Sequence, residues 1–227
     1  APNGMWTYLV SVWFLANRDE DGALDEGAFY DFLNLITGFI FAYAIERPGV
    51  NALRAPVYPE MVSIVKHEPV TFPNHRFDER AISARFHAYE FTNGRPVTKS
   101  ILAWWAFNDP TQPLMSIDTS IEIEHIYARK RAEVSPLVNR RNLESLGNKA
   151  LLEKRVNIRA AEYKFTDKKK FYAGFTDGSG RERTGTEVAE LRRLAAERED
   201  FTESDIEART DEIISAFVGF LGSCGLI

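Results

Sequence analysis

The chain has 227 residues, 44% of them hydrophobic, and a net charge of −5. That apolar fraction fills a sizeable core, as one large domain or two small lobes, and excludes a disordered or fibrous chain. A single cysteine, Cys224, and four histidines exclude a disulfide framework and a multi-ligand Cys/His zinc cluster, so a reducing, cytoplasmic setting is expected.

The first residues, up to Phe14, are apolar but lack a basic leader and are interrupted by polar residues well short of a membrane span, so a soluble chain with no membrane partner is expected. A start at Ala1 without Met reads as a processed or excised piece. From Trp6 to about Val65 the pattern is helical. Phe29, Phe32, Leu33, Leu35, Ile36, Phe39, Ile40 and Tyr43 recur at three- and four-residue spacing, with Asp25 as N-cap and Pro48 and Gly49 as terminators. Prolines at 56, 59, 69, 73 and 96 punctuate short helices and loops up to Lys99. Residues 1–99 are thus expected to form a helical support and 100–227 the functional region.

Residues 100–107, SILAWWAF, read as a buried helix or strand before a loop over 108–116. Ile121 and Ile123 alternate as in a strand. Thr184 with Glu187, and Thr202 with Asp205, are spaced as capping boxes. Ile206, Ile213, Ile214, Phe217, Val218 and Leu221 form one face of a last helix that Gly222 is placed to cap, and residues 177–180, DGSG, read as a flexible linker.

The chemistry concentrates in IEIEHIYARKR and NLESLGNKALLEKRVNIR, where the adjacent Glu124 and His125 are followed by Asn148 and, nine residues later, Asn157. Phosphodiester hydrolysis needs a base for water and a cation for the charge developing on the phosphoryl and leaving oxygens. A histidine suits the first task near neutral pH. A carboxylate and an amide oxygen, completed by waters and substrate phosphate, suit Mg2+. In an extended segment Glu124 and His125 point to opposite faces. Residues 125–172 hold 13 Lys/Arg against 5 acids, a surplus of +8 that leaves −13 on the rest of the chain. A polyanion would meet one attractive face on a repulsive body.

GluHisIle closing a strand, LeuGlyAsnLysAlaLeuLeu opening a second and AsnIleArg on a following helix resemble the ββα-metal core of His-Me finger (HNH) nucleases. They are most similar to the C-terminal nuclease domain of GmrSD-type, modification-dependent type IV restriction proteins. Phe165 to Lys168 resembles that family's Phe-x-x-Lys segment, and Phe201 to Arg209 a helix opening near the end of these domains. The resemblance implies an α+β, mostly helical fold with an embedded ββα finger. It implies His125 as general base, Asn148 as the brace of its loop, and Glu124 and Asn157 as ligands of Mg2+ or Mn2+. Arg129, Lys130, Arg131, Arg140, Arg141, Lys149 and Lys168 would face DNA phosphates. Ala128 stands where the family commonly has proline. No nucleotide-hydrolysing motif occurs, so a sensor domain or subunit outside this chain is expected, as is a role against phage or modified DNA.

Two other readings compete: an inactive finger kept as a DNA-binding or regulatory module, and an RNase or toxin nuclease, since nothing in the motif reads the sugar. Residues 17–25 imitate the start of an EF-hand loop, but its twelfth position is Ala28, and an exposed acidic loop is the better account. His67, His75 and His87 show no ligand spacing, and Trp104 with Trp105 suits core packing better than base stacking.

Overall fold

The computed structural model describes residues 4–49, 51–161 and 163–227, so Ala1 lies outside the described residues. The chain divides into two compact units, residues 1–89 with 214–227, and residues 90–213. The division falls ten residues before the position expected at Lys99. The physical reason is local: the helix that follows, α5 (Pro96–Phe107), packs on a strand of the second unit.

In the first unit, α1 (Met5–Asn17), α2 (Glu26–Glu46), α3 (Arg54–Val65) and α4 (Glu79–Ala88) surround an aromatic core. Asp25 caps α2 by accepting from the Ala28 amide at 2.8 Å. Beyond that cap the three- and four-residue spacing buries Phe32, Ile36, Phe39, Ile40 and Tyr43. The Phe39 ring stacks on Phe72, and Trp13 of α1 stacks on Phe29 and Phe32. Among the described residues α2 is the one helix long and apolar enough to cross a membrane, and half of its most apolar window is buried in the unit. It is the unit's core helix.

The second unit carries two strands that hold residues singled out in the sequence. Ile121–His125 (β1) pairs antiparallel with Lys149–Glu153 (β2) in a register that sets Ile121 opposite Glu153 and His125 opposite Lys149. A short helix, α6 (Arg129–Val134), opens the connection, and α7 (Lys154–Ala160) follows β2 without a gap and packs across both strands. These pieces make a β–β–α unit. Around it lie α8 (Phe165–Ala173), α9 (Ala189–Glu197) and the N-terminal half of α10 (Glu203–Ser223).

Three local expectations are corrected. Residues 177–180 are no linker but the tight turn of a hairpin between β3 (Gly174–Thr176) and β4 (Glu182–Thr184), where the Asp177 carboxylate accepts from the Ser179 and Arg181 amides. Thr184 therefore ends a strand and caps no helix; α9 begins only at Ala189. At the end of α10 the left-handed residue is Gly225, not Gly222, and the Leu226 amide reaches back to the Leu221 carbonyl. At Thr202 one half of the box is in place: the Asp205 carboxylate accepts from the Thr202 amide, and from its hydroxyl besides. Residues 100–107 are helical within α5, and the Trp105 indole donates to Glu190 at 3.0 Å.

Candidate active site

The two faces of β1 carry different chemistry because alternate residues point to opposite sides. His125 lies opposite Lys149, so both side chains emerge on one face. The fully buried Lys149 ammonium donates to His125 Nε2 at 2.8 Å and to Asn93 Oδ1 at 2.7 Å, and lies 2.8 Å from Glu144 Oε2. Glu144 Oε1 stands 3.3 Å from His125 Nε2 and accepts from Arg129 at 2.9 Å.

Burial lowers the His125 pKa; the Glu144 hydrogen bond opposes this, and the Lys149 and Arg129 charges reinforce it. The imidazole is neutral at neutral pH, with the Nε2 lone pair facing Lys149. Burial likewise lowers the Lys149 pKa, with Glu144 opposing. Burial pushes the Glu144 carboxyl up, but the neighbouring His125 ring and the Lys149 ammonium outweigh it and hold the group at about 2.

Asn148, fully buried, clamps the turn that follows His125. Its Oδ1 accepts from the Tyr127 amide at 2.6 Å, and its Nδ2 donates to the Tyr127 and Leu143 carbonyls at 3.1 and 3.0 Å. Each polar atom of the amide is used, and the Ile126 amide bonds the Asn148 carbonyl besides. From α10, Arg209 supports the same segment, donating to the carbonyls of Leu146, Gly147 and Lys149 while it pairs with Glu190.

The opposite face of β1 holds Glu122 and Glu124. Glu124 is buried, and its Oε1 accepts from Lys168 Nζ and from the Tyr172 hydroxyl, both at 2.6 Å. Asn157 of α7 donates to Glu122 Oε2 at 2.8 Å. Among the described residues no group of three or more His, Cys, Asp or Glu side chains converges as a cation cage.

The residues singled out in the sequence therefore fall into separate clusters. His125 and Asn148 belong to one region, Asn157 meets Glu122 rather than Glu124, and Glu124 is bound to Lys168. Lys149 and Lys168 do not face solvent phosphates: Lys149 is drawn under His125 by the strand register, and Lys168 is turned inward on α8 to neutralise Glu124. Arg131 is committed as well, bidentate to Asp200 at 2.6 Å and stacked over the Tyr127 ring. Arg129, Lys130, Arg140 and Arg141 are exposed. Glu122, Glu144, Asn93 and Tyr172 were not foreseen. Glu122 alone had a signal, the two-residue spacing from Glu124 that sets both carboxylates on one face of a strand.

The model of one protein family, described as GmrSD restriction endonucleases, C-terminal domain, matches residues 74–216. No curated protein and no solved structure matches the chain.

Proposed function

The chain belongs to the family of the C-terminal domain of GmrSD restriction endonucleases, and from that premise we propose that it hydrolyses phosphodiester bonds in DNA with His125 as general base. The observation that carries this reading is a neutral, largely buried imidazole at the end of β1, with the following turn clamped by Asn148. A base is useful when it is unprotonated at the working pH and held in one orientation. His125 Nε2 would take the proton of a water attacking in line with the departing 3′ oxygen, leaving 5′-phosphate and 3′-hydroxyl ends.

Lys149 has two parts in this scheme. Its ammonium occupies the Nε2 lone pair before substrate arrives. A phosphate oxygen that draws the ammonium onto itself frees Nε2 for water and gains a positive charge beside the reacting group. Arg129, exposed and paired with Glu144, supplies a second. Glu144 keeps both cations and the imidazole in one cluster.

A divalent cation is implied by the resemblance to metal-dependent nucleases, and the donor chemistry fits one at Glu122 and Asn157. These are a part-exposed carboxylate and an amide already in contact, and Mg2+ suits one or two such oxygens with water and phosphate completing its shell. The amide would turn to present Oδ1. Bound there, the ion would neutralise charge on the phosphoryl and leaving oxygens. Glu124, which the resemblance made a ligand, shares its Oε1 with an ammonium at 2.6 Å and as arranged is a structural anchor for α8.

The reading extends to nicking of modified or phage DNA under the control of a separate nucleotide-hydrolysing sensor, in the cytoplasm. A plasmid-nicking assay with Mg2+, Mn2+ and EDTA, run on wild type and His125→Ala, tests it. Cation-dependent cleavage lost in His125→Ala is expected; cleavage undiminished by that substitution would refute the assignment. A second reading rests on the two buried lysines, which occupy the base and Glu124 as they would in a finger retained only to bind DNA. In that case DNA is bound and no condition yields nicks. A structured RNA substrate in parallel separates the RNase alternative.

A further inference from the structure

Between α6 and β2 the chain makes a loop that is held unusually firmly for an exposed one. The backbone amides of Val138 and Asn139 donate to Glu203 Oε2 and Oε1, both at 2.7 Å. Asn142 Nδ2 donates to Glu203 Oε1 and Glu207 Oε1, both at 2.9 Å. Leu137 is buried beneath, and the Ser135 carbonyl accepts from the Tyr127 hydroxyl at 2.6 Å. At the tip of this stapled segment the Val138 side chain is 97% exposed, and Val134 is 88% exposed.

A lone exposed apolar residue requires no explanation. This one sits among cations: residues 129–141 contain five Lys/Arg and a single acid, Glu133. Arg140 and Arg141 follow the tip and are both exposed. Arg129 and Arg140 also line a groove of about 490 Å³ together with Leu137 and Leu143. Six residues beyond Val138 the chain reaches Glu144, beside His125, so the tip lies within about 20 Å of the base even for an extended chain.

We propose that this loop is a DNA-inserting element, in which Val138 enters a groove of the duplex next to the cleavage point while Arg140 and Arg141 hold the flanking phosphates. The inference rests on the nuclease reading for its location, but its physical basis is separate. An apolar wedge between base steps trades unstacking for apolar burial and a bent duplex. Such a wedge works only if it does not collapse when pushed, and the Glu203 staple removes the cost of ordering the loop on binding. The surrounding positive charge selects a polyanion over an apolar protein partner.

The test uses the full chain, as wild type in EDTA and as His125→Ala, with a duplex carrying 2-aminopurine at successive positions. Binding is read by anisotropy and unstacking by the probe's fluorescence. Wild type is expected to raise the fluorescence at one step, and Val138→Asp to abolish that rise and weaken binding roughly tenfold. Arg140→Ala and Arg141→Ala should each lower the slope of log Kd against log salt by about one. Because Val138 is exposed, Val138→Ser, which adds no carboxylate beside Glu203, should leave the thermal midpoint unchanged and abolish the rise as well, and Glu203→Gln, which loosens the staple while keeping Val138, should reduce the fluorescence rise. Unchanged fluorescence and affinity in Val138→Asp would overturn the proposal, as would a wild-type complex with no unstacked step or no binding to duplex DNA. Unstacking that depends on Val138 without any nicking would uphold the insertion and refute the nuclease reading. Nicking that is indifferent to Val138 would do the reverse.

Discussion

Lys149 Nζ lies 2.8 Å from His125 Nε2, so the proposed base accepts a hydrogen bond from a fully buried ammonium. That contact fixes the tautomer, because a nitrogen that accepts from an ammonium carries no proton of its own; the imidazole hydrogen is on Nδ1. The same ammonium is balanced by Glu144 and by the Asn93 amide oxygen.

Removing one member of this cluster strands the others. Lys149→Met is expected to destabilise the protein by about 3–5 kcal/mol, the cost of leaving a partly buried charge without its buried partner. Glu144→Gln in the same background removes the stranded carboxylate and should restore part of the loss, a coupling of about 1–3 kcal/mol. Urea denaturation of the two single variants and the double closes the cycle. Strict additivity would show that Lys149 and Glu144 do not act together.

Acid should dissolve the same cluster. The Glu144 carboxyl is held at about 2 in the folded chain against an ordinary 4.5. Because the folded value is the lower one, its stabilisation is complete above about 4.5 and is lost as pH falls toward 2. The loss amounts to at most about 3 kcal/mol. Buried Glu190, held down against burial by the Arg209 charge and hydrogen bonds, adds in the same direction. Thermal midpoints of wild type should fall more steeply from pH 5 to pH 3 than those of Glu144→Gln; parallel curves would show that Glu144 is not the titrating group.

Asn148 gives a prediction of a different kind, since its partners are backbone groups. Asn148→Ala leaves the Tyr127 amide and two carbonyls without their partner in a buried setting, at about 1–3 kcal/mol for an unmet buried group. Asn148→Asp keeps the acceptor for the Tyr127 amide but sets a carboxylate against the Tyr127 and Leu143 carbonyls, and should be no better than Ala. Chemical denaturation reads the stability. Nicking activity should fall further than stability explains, because the clamp also sets where His125 points.

The sequence is a good guide here wherever the cause is local. Asp25 caps α2 because its own side chain reaches three residues on, and the alternation at Ile121 to His125 marks a strand because side-chain direction alternates within the segment itself. The same reasoning fails for lysines. Lys149 and Lys168 look like surface cations until the β1–β2 register sets the first under His125 and the packing of α8 sets the second against Glu124, and neither is a property of a short window. Thr184 fails as a cap for the converse reason: the pattern with Glu187 is present, but pairing with β3 claims the residue first. The spacing of Glu124, His125, Asn148 and Asn157 puts them on the first strand, the intervening turn and the helix of one β–β–α unit. It did not reveal that Asn157 faces Glu122, which depends on where α7 crosses the strands.

Gly147, next to the clamp, is required by proximity rather than by conformation. Its backbone lies against α10, where the amide donates to Thr210 Oγ1 at 3.1 Å, and a Cβ there would come within 1.9 Å of the Ile206 carbonyl oxygen and 2.3 Å of Thr210 Oγ1. The first of these is main-chain and cannot rotate away, so Gly147→Ala forces α10 and the 146–148 turn apart. That motion would strain the Arg209 bonds to the carbonyls of Leu146, Gly147 and Lys149, and through them the position of Lys149 under His125. A loss of more than about 3 kcal/mol is expected, at the upper end of what overpacking costs. Thr210→Ala alone removes one hydroxyl and should cost about 1–2 kcal/mol. If Thr210→Ala rescued Gly147→Ala fully, the hydroxyl rather than the Ile206 carbonyl would be the obstacle; with the carbonyl in the way, the double variant should remain less stable than Thr210→Ala by more than about 2 kcal/mol in urea denaturation.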